Sequence, residues 1–241
     1  MKAFLFFLFF SGIIFAQGDN ITLNTEAFSE LKVYDGLSVT MTKGTDNTVV
    51  ISGEDPKNVS IVNEEGVLKI KMKFKKMFSG YRTFISLNYS SPFNILDANE
   101  EASIKVDNLI EQEKISLKVQ EGAQIEASLK VDQLIVKTVT GSQITTKGYA
   151  KIQDVSINTG GIYKGQSLKT SFTTIGVNAG GIASIFATDY VGATVKAGGK
   201  IKVFGDPKKM DEKTFFMGLS LTLCPRSSAI SCRSLATDCS I

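Results

Sequence analysis

The sequence has no histidine and no tryptophan, and only 4 prolines and 3 cysteines. Without histidine the chain lacks the usual general base, the commonest metal ligand and every Ser-His or Cys-His nucleophile arrangement. The cysteines, Cys224, Cys232 and Cys239, all fall near the C-terminus at spacings of 8 and 7, which match no tight metal-binding pattern. Before Leu223 there is no cysteine and a single arginine, Arg82. Charge of one sign is also scarce. The formal net charge is +3 at pH 7 and close to +1 once Lys2 and the last 18 residues are set aside, too little to attract a nucleic acid. A long apolar run occurs only at the start, where 13 residues from Ala3 to Phe15 follow Lys2 and precede Ala16-Gln17. Such a run is short of the roughly 20 residues that span a bilayer and has the form of a secretory signal peptide cleaved after Ala16. The expectation is an exported protein, in the periplasm, on the cell surface or outside the cell, with no transmembrane anchor after cleavage. Residues 17–223 read as one domain and 224–241 as a poorly ordered appendage.

Helical periodicity is missing too, since no stretch of ten or more residues carries a 3.6-residue apolar repeat. What is present is alternation. Between residues 20 and 90 short runs such as Leu31-Lys-Val33, Leu37-Ser-Val-Thr-Met41, Val67-Leu-Lys-Ile-Lys-Met-Lys-Phe74 and Phe84-Ile-Ser-Leu-Asn-Tyr89 are bounded by Asp35-Gly36, Gly53-Glu-Asp-Pro56 and Glu65-Gly66. Period two between turn formers predicts β-strands.

From residue 98 to 205 a repeat appears. Small-residue corners recur at Glu101, Gly122, Gly141, Gly160-Gly161, Gly180-Gly181 and Gly198-Gly199, spaced by 21, 19, 19, 20 and 18 residues. Apolar residues mostly occupy the positions seven, five and three before each corner, such as Leu134 and Val136, with Gln153, Thr138 and Thr173 as exceptions. After the corners, Ile104, Ile125, Ile144 and Ile201 share one offset, and Ile162 and Ile182 fall one residue earlier. A coil of this length cannot bury its inward face alone, whereas stacked coils share a continuous core. Glycine at the bends tolerates positive φ and close backbone approach. The predicted fold is all-β, a parallel β-helix or solenoid with an N-terminal strand-rich portion.

The segment Phe28-Ser-Glu-Leu31-Lys-Val33-Tyr-Asp-Gly36-Leu-Ser-Val39-Thr-Met41, the strand Gly66-Val-Leu68-Lys-Ile70 and the corner series ending in Val203-Phe-Gly205-Asp-Pro207 resemble the auto-transporter adhesin family with the head GIN domain. The resemblance covers roughly residues 20 to 215. It implies a right-handed β-helix exported by Bacteroidetes-type bacteria and an adhesin-like role, with no catalytic residues to carry over. Glu101 departs from the family's glycine at that corner.

Solenoids also host polysaccharide lyases, which combine clustered carboxylates with a basic residue. Here Asp107, Asp132, Asp154 and Asp189 lie at unequal offsets from their corners and do not stack, and Arg82 lies outside the coils. Glu111 and Glu113 remain as a small acidic pair on one strand face. The glycine turns lack the aspartates of calcium-binding nonapeptides, and Ser29-x-x-Lys32 in a strand points its two side chains to opposite faces. The reading is therefore a non-enzymatic protein with no catalytic residue, no metal and no cofactor. Its expected function is as an adhesin or surface-binding module at the cell envelope; the alternatives are a carbohydrate-active enzyme and a self-associating structural component. Candidate contacts are Phe78, Tyr81 and Arg82, in a basic and aromatic segment suited to anionic surface glycans, and Tyr149, Tyr163 and Tyr190 near the coil bends. The partner expected is a surface glycan or envelope protein, with no nucleic acid.

Overall fold

Alternating segments become strands because each inward side chain can be covered by the strand stacked on either side. A computed structural model of the chain describes residues 20–214, 219–224 and 233–234. The short strands are β1 (Ile21–Asn24), β2 (Glu30–Val33), β3 (Ser38–Lys43), β4 (Thr48–Gly53), β5 (Val59–Glu64), β6 (Val67–Met72), β7 (Thr83–Tyr89) and β8 (Ile95–Ala98). Five long strands follow, β9 (Ser103–Val119), β10 (Gln124–Thr138), β11 (Gln143–Ile157), β12 (Ile162–Asn178) and β13 (Gly181–Lys196). The described chain ends with β14 (Gly199–Phe204), β15 (Lys209–Thr214), β16 (Leu219–Cys224) and β17 (Arg233–Ser234).

From β9 to β14 each strand pairs in parallel with the next, so the chain winds as a β-solenoid. Every long strand serves two sides. They meet at a bend where pairing skips Glu113, Asp132, Lys151 and Ser171, and the inward series steps from Val131 to Leu134 and from Ala150 to Gln153. The other bend is the corner. At Glu121-Gly122 both central residues have positive φ, 55° and 75°, and the Ala123 N–H donates to the Gln120 carbonyl at 3.2 Å, which makes a type I′ turn. Corners at Asp35-Gly36, Glu100-Glu101, Thr140-Gly141, Thr159-Gly160 and Ala179-Gly180 repeat the same pair of positive φ values. A column of backbone hydrogen bonds links them along the stack, including Gly36 to Glu100, Glu101 to Glu121, Gly122 to Thr140, Gly141 to Thr159 and Gly160 to Ala179.

The coil geometry starts before the sequence repeat does. β2 lies parallel between β6 and β8, and β3 parallel between β7 and β9. The N-terminal strands are thus the first two coils. That end is closed by antiparallel strands, β5 on β6, β4 on β7 and β1 on β4. At the other end β15 and β16 continue the stack on β13 and β14, and β17 pairs with Thr222 and Leu223 of β16. The last strand of the stack therefore runs to Cys224, one residue past the boundary drawn from sequence. The predicted signal peptide, Cys232 and Cys239 lie outside the described residues.

One core row runs Ile85, Val39, Ile104, Ile125, Ile144, Tyr163, Ala183, Ile201, all buried and paired in register. The shared offset of the four isoleucines from their corners is thus a shared inward direction. The earlier positions of Ile162 and Ile182 suggest a shifted strand register, and the structure corrects this. The register holds, Tyr163 and Ala183 take the inward places, and Ile162 and Ile182 point outward, Ile182 being 44% exposed.

Candidate binding surfaces

The segment joining β6 to β7 contains two single 3-10 turns, Phe74–Lys76 and Gly80–Arg82. It caps the corner column, because the Gly80 N–H donates to the Asp35 carbonyl at 3.0 Å. The Asp35 side chain is buried and its carboxylate accepts the N–H groups of Met72 at 2.9 Å and Phe78 at 3.0 Å. Two charge-assisted bonds to backbone, one at the start of the loop and one at its middle, fix its path. Held this way, Phe74 is 89% exposed, Phe78 57% and Met77 43%. Beside them a groove of about 580 Å³ is lined by Tyr34, Lys69, Lys71, Lys73, Phe74 and Met77, with Asp35 and Glu100 also in its wall. Burial, reinforced by the charge of Asp35, raises the Glu100 carboxyl above its ordinary range.

Of the three contacts expected in this segment, Phe78 stands free on the surface, while the other two are held by acids. The Tyr81 hydroxyl donates to Glu101 Oε2, which raises the phenol above its usual range, and Arg82 Nη1 bonds Glu54 Oε1 at 2.6 Å. The lysines and Phe74 of the groove were not among the candidates, although the interleaved Lys-Phe-Lys-Lys-Met pattern carried that signal.

A second surface lies on the flank of the coils. The register aligns Gln133, Ile152, Phe172, Tyr190 and Lys209 as one outward row just after the second bend. Ile152 is 41% and Phe172 46% exposed, and Tyr190 is partly exposed. The Tyr190 hydroxyl donates to Asp211 Oδ2 at 3.0 Å, which raises its phenol, and the Lys209 ammonium lies 5.8 Å from its ring centre. Tyr149, 44% exposed, precedes the same bend. A shallow depression of about 300 Å³ adjoins it, lined by Glu111, Gln112, Lys130, Val131, Asp132 and Tyr149, with Glu111 and Lys130 paired at 2.5 Å.

Tyr163 does not belong to either surface. It is fully buried, with its hydroxyl bonded to Thr146 Oγ1 at 2.7 Å and accepting from Gln153 Nε2, and so cannot meet a ligand. Burial raises its phenol far above the ordinary value, against the opposing effect of those two hydrogen bonds. The coil acids are dispersed rather than convergent. Asp107 pairs with Lys105 at 3.0 Å, and Asp189 with Lys208 at 2.6 Å, which holds the Asp189 carboxyl below its ordinary range. Among the described residues no three acidic or thiol side chains come together in a metal-binding group.

The family described as "Putative auto-transporter adhesin, head GIN domain" matches residues 27–207. A comparison with curated proteins finds no match. A solved structure described as a putative adhesin from Bacteroides fragilis superposes with a TM-score of 0.77 at 16% identity, covering 87% of this chain and 98% of that chain. A putative adhesin from Parabacteroides merdae gives a TM-score of 0.65 at 17% identity, with 86% and 95% covered. A structure from Parabacteroides distasonis described as a putative lipid binding protein gives 0.67 at 14% identity, with 87% and 97% covered. At these identities the shared property is the fold. With three quarters of its length matched and its coils shared with these structures, the chain belongs to the auto-transporter adhesin family with the head GIN domain.

Proposed function

We propose that the protein is a non-enzymatic adhesin-like module, exported to the cell envelope, that holds a glycan along the flank of its solenoid. The family supports the adhesin-like role and a surface or exported location. The observation that carries the glycan reading is the outward row of Ile152, Phe172 and Tyr190 with Tyr149 beside it. Adjacent parallel strands lie roughly 4.8 Å apart, so these rings and the Ile152 side chain make a continuous apolar track down the stack. Aromatic faces accept the apolar face of a sugar ring, and tyrosine adds a polar tip. The Glu111-Lys130 pair and Asp132 in the adjoining depression supply donors and acceptors for sugar hydroxyls. Fixed strands present this row without loop ordering, which keeps the entropic cost of binding low.

The test is a glycan array and a whole-cell binding assay with the exported protein and its Tyr149→Ala/Phe172→Ala variant. Binding that the variant loses supports the reading. No glycan or cell binding by the parent, or binding that the variant retains in full, refutes it.

A further inference from the structure

We infer that the β6–β7 loop docks the solenoid, end-on at its first coil, onto an anionic lipid surface. Residues 69–82 carry five lysines and one arginine and no acid, a charge of +6 in a chain whose total is +3. The remainder of the chain is therefore −3. Two of these cations are neutralised internally, Lys76 by Asp55 at 3.3 Å and Arg82 by Glu54 at 2.6 Å, and Lys73 Nζ donates to the Lys57 carbonyl at 2.6 Å. Lys69, Lys71 and Lys75 pair with no acid among the described residues. Lys69 and Lys71 face the groove with Lys73.

Beside these lysines stand Phe74, Met77 and Phe78, three apolar side chains left in water at 89%, 43% and 57% exposure. A soluble polyanion would satisfy the lysines and leave them wet. Glu100 and the buried Asp35 also lie in the groove wall, but the charged side chains of residues 69–82 themselves are all cationic, which suits phosphates better than sugar hydroxyls. A bilayer interface meets both halves of the pattern, since headgroup phosphates sit above the acyl boundary. Lysine stems can reach the phosphates while the rings and thioether enter the apolar layer. The loop is prepared for this. Asp35 ties Met72 and Phe78 by their backbone N–H groups, and Gly80 is bonded to the Asp35 carbonyl, so the apolar side chains project from a fixed rim rather than collapsing onto the coil. Placement at the end of the stack leaves the flank with Phe172 and Tyr190 free for its own ligand.

The experiment is cosedimentation of the exported protein with vesicles of phosphatidylcholine alone and of phosphatidylcholine mixed with phosphatidylglycerol. Binding is expected on the mixed vesicles and not on phosphatidylcholine alone, and it weakens as salt rises. Phe74→Ser/Phe78→Ser is expected to lower partitioning by about tenfold or more, and Lys69→Gln/Lys71→Gln by roughly tenfold. All four positions are exposed or half-exposed, so thermal melts of both variants should match the parent and exclude misfolding. Absence of sedimentation with the mixed vesicles overturns the inference. So does equal binding to both vesicle types. Binding that survives Phe74→Ser/Phe78→Ser, with equal retention on immobilised dextran sulfate, overturns it in favour of a polyanion site.

Discussion

Removing one oxygen atom from the core tests how the solenoid accommodates polar residues. Tyr163 sits in the isoleucine row, where its hydroxyl bonds Thr146 and accepts from Gln153 Nε2. Further along, Thr173 lies between Gln153 Oε1 at 3.3 Å and Thr170 Oγ1 at 2.7 Å, and Thr170 donates to the Phe186 carbonyl at 2.7 Å. All of these side chains are buried, so no water replaces a lost partner. Tyr163→Phe strands an N–H of Gln153 and the hydroxyl of Thr146, and each unpaired buried group costs about 1–3 kcal/mol. The expected loss is about 2–5 kcal/mol, or a Tm lower by roughly 5–20 °C for a domain of this size. Replacing all three partners, Tyr163→Phe/Gln153→Leu/Thr146→Val, should recover most of that loss, because apolar groups of similar shape leave no group of the trio unpaired and Thr173, which loses Gln153 Oε1, keeps Thr170 Oγ1 as its partner. The assay is equilibrium urea denaturation with tryptophan-free detection by circular dichroism. The same site has a pH signature. Its folded-state pKa is raised above the unfolded value of about 10, so its contribution is fully present below pH 10 and is lost as pH rises past it, at about 1.4 kcal/mol per pH unit. Tyr163→Phe should remove that share of the alkaline decline. A parent and variant of equal stability, or with identical slopes above pH 10, would refute the account.

Two further substitutions probe the row and the corner. Ile144→Ala, at a fully buried position between Ile125 and Tyr163, should cost about 2–5 kcal/mol in the same denaturation experiment; a loss under about 1 kcal/mol would mean that the row is not a packed core. Glu101→Gly should raise Tm by a few degrees, because Glu101 holds a φ of 61° that favours glycine by about 1 kcal/mol and gives up only a surface hydrogen bond from Tyr81; a lower Tm would show that this bond outweighs the strain.

The coils were legible because period-two alternation and evenly spaced corners are both local properties of the sequence. The outward row was legible only in one direction of counting. Tyr149, Phe172 and Tyr190 come from coils that differ in length, with pairing shifts between Thr145 and Lys147, between Gly165 and Lys169 and between Thr170 and Phe172. Counting forward from their own corners places Ile152, Phe172 and Tyr190 at different offsets, 11, 12 and 10, even though they are neighbours in space; only the count back from the next corner, eight residues for each, aligns them. Tyr163 misled for the opposite reason. Its place at a coil bend suggested exposure, and the two residues that make its burial tolerable, Thr146 and Gln153, lie 17 and 10 positions away. In the β6–β7 loop the charge and aromatic content could be read directly. The pairing of Arg82 with Glu54 and of Tyr81 with Glu101 could not, because each depends on how distant strands stack.

The corners show how one short motif carries two separate demands. The second residue of each turn pair must accept positive φ, and Gly122 at 75° does so with no strain. The residue after it does not need this freedom; at Asp35-Gly36 it is the buried Leu37, and in the coils from Glu101 to Gly181 it is small. A Cβ on Gly161 would lie 2.5 Å from Thr138 Oγ1, and one on Gly181 would lie 2.5 Å from Ile157 Cγ2, both closer than packed atoms approach. At the corners from Glu100-Glu101 to Thr140-Gly141 the same buried place is filled by Ala102, Ala123 and Ser142. Gly-Gly at residues 160–161 and 180–181 therefore reports a tighter interior than Gly-Ala at residues 122–123, under the same turn geometry. Side-chain volume just inside the corner, together with the φ of the turn, decides which residue pair each coil can use.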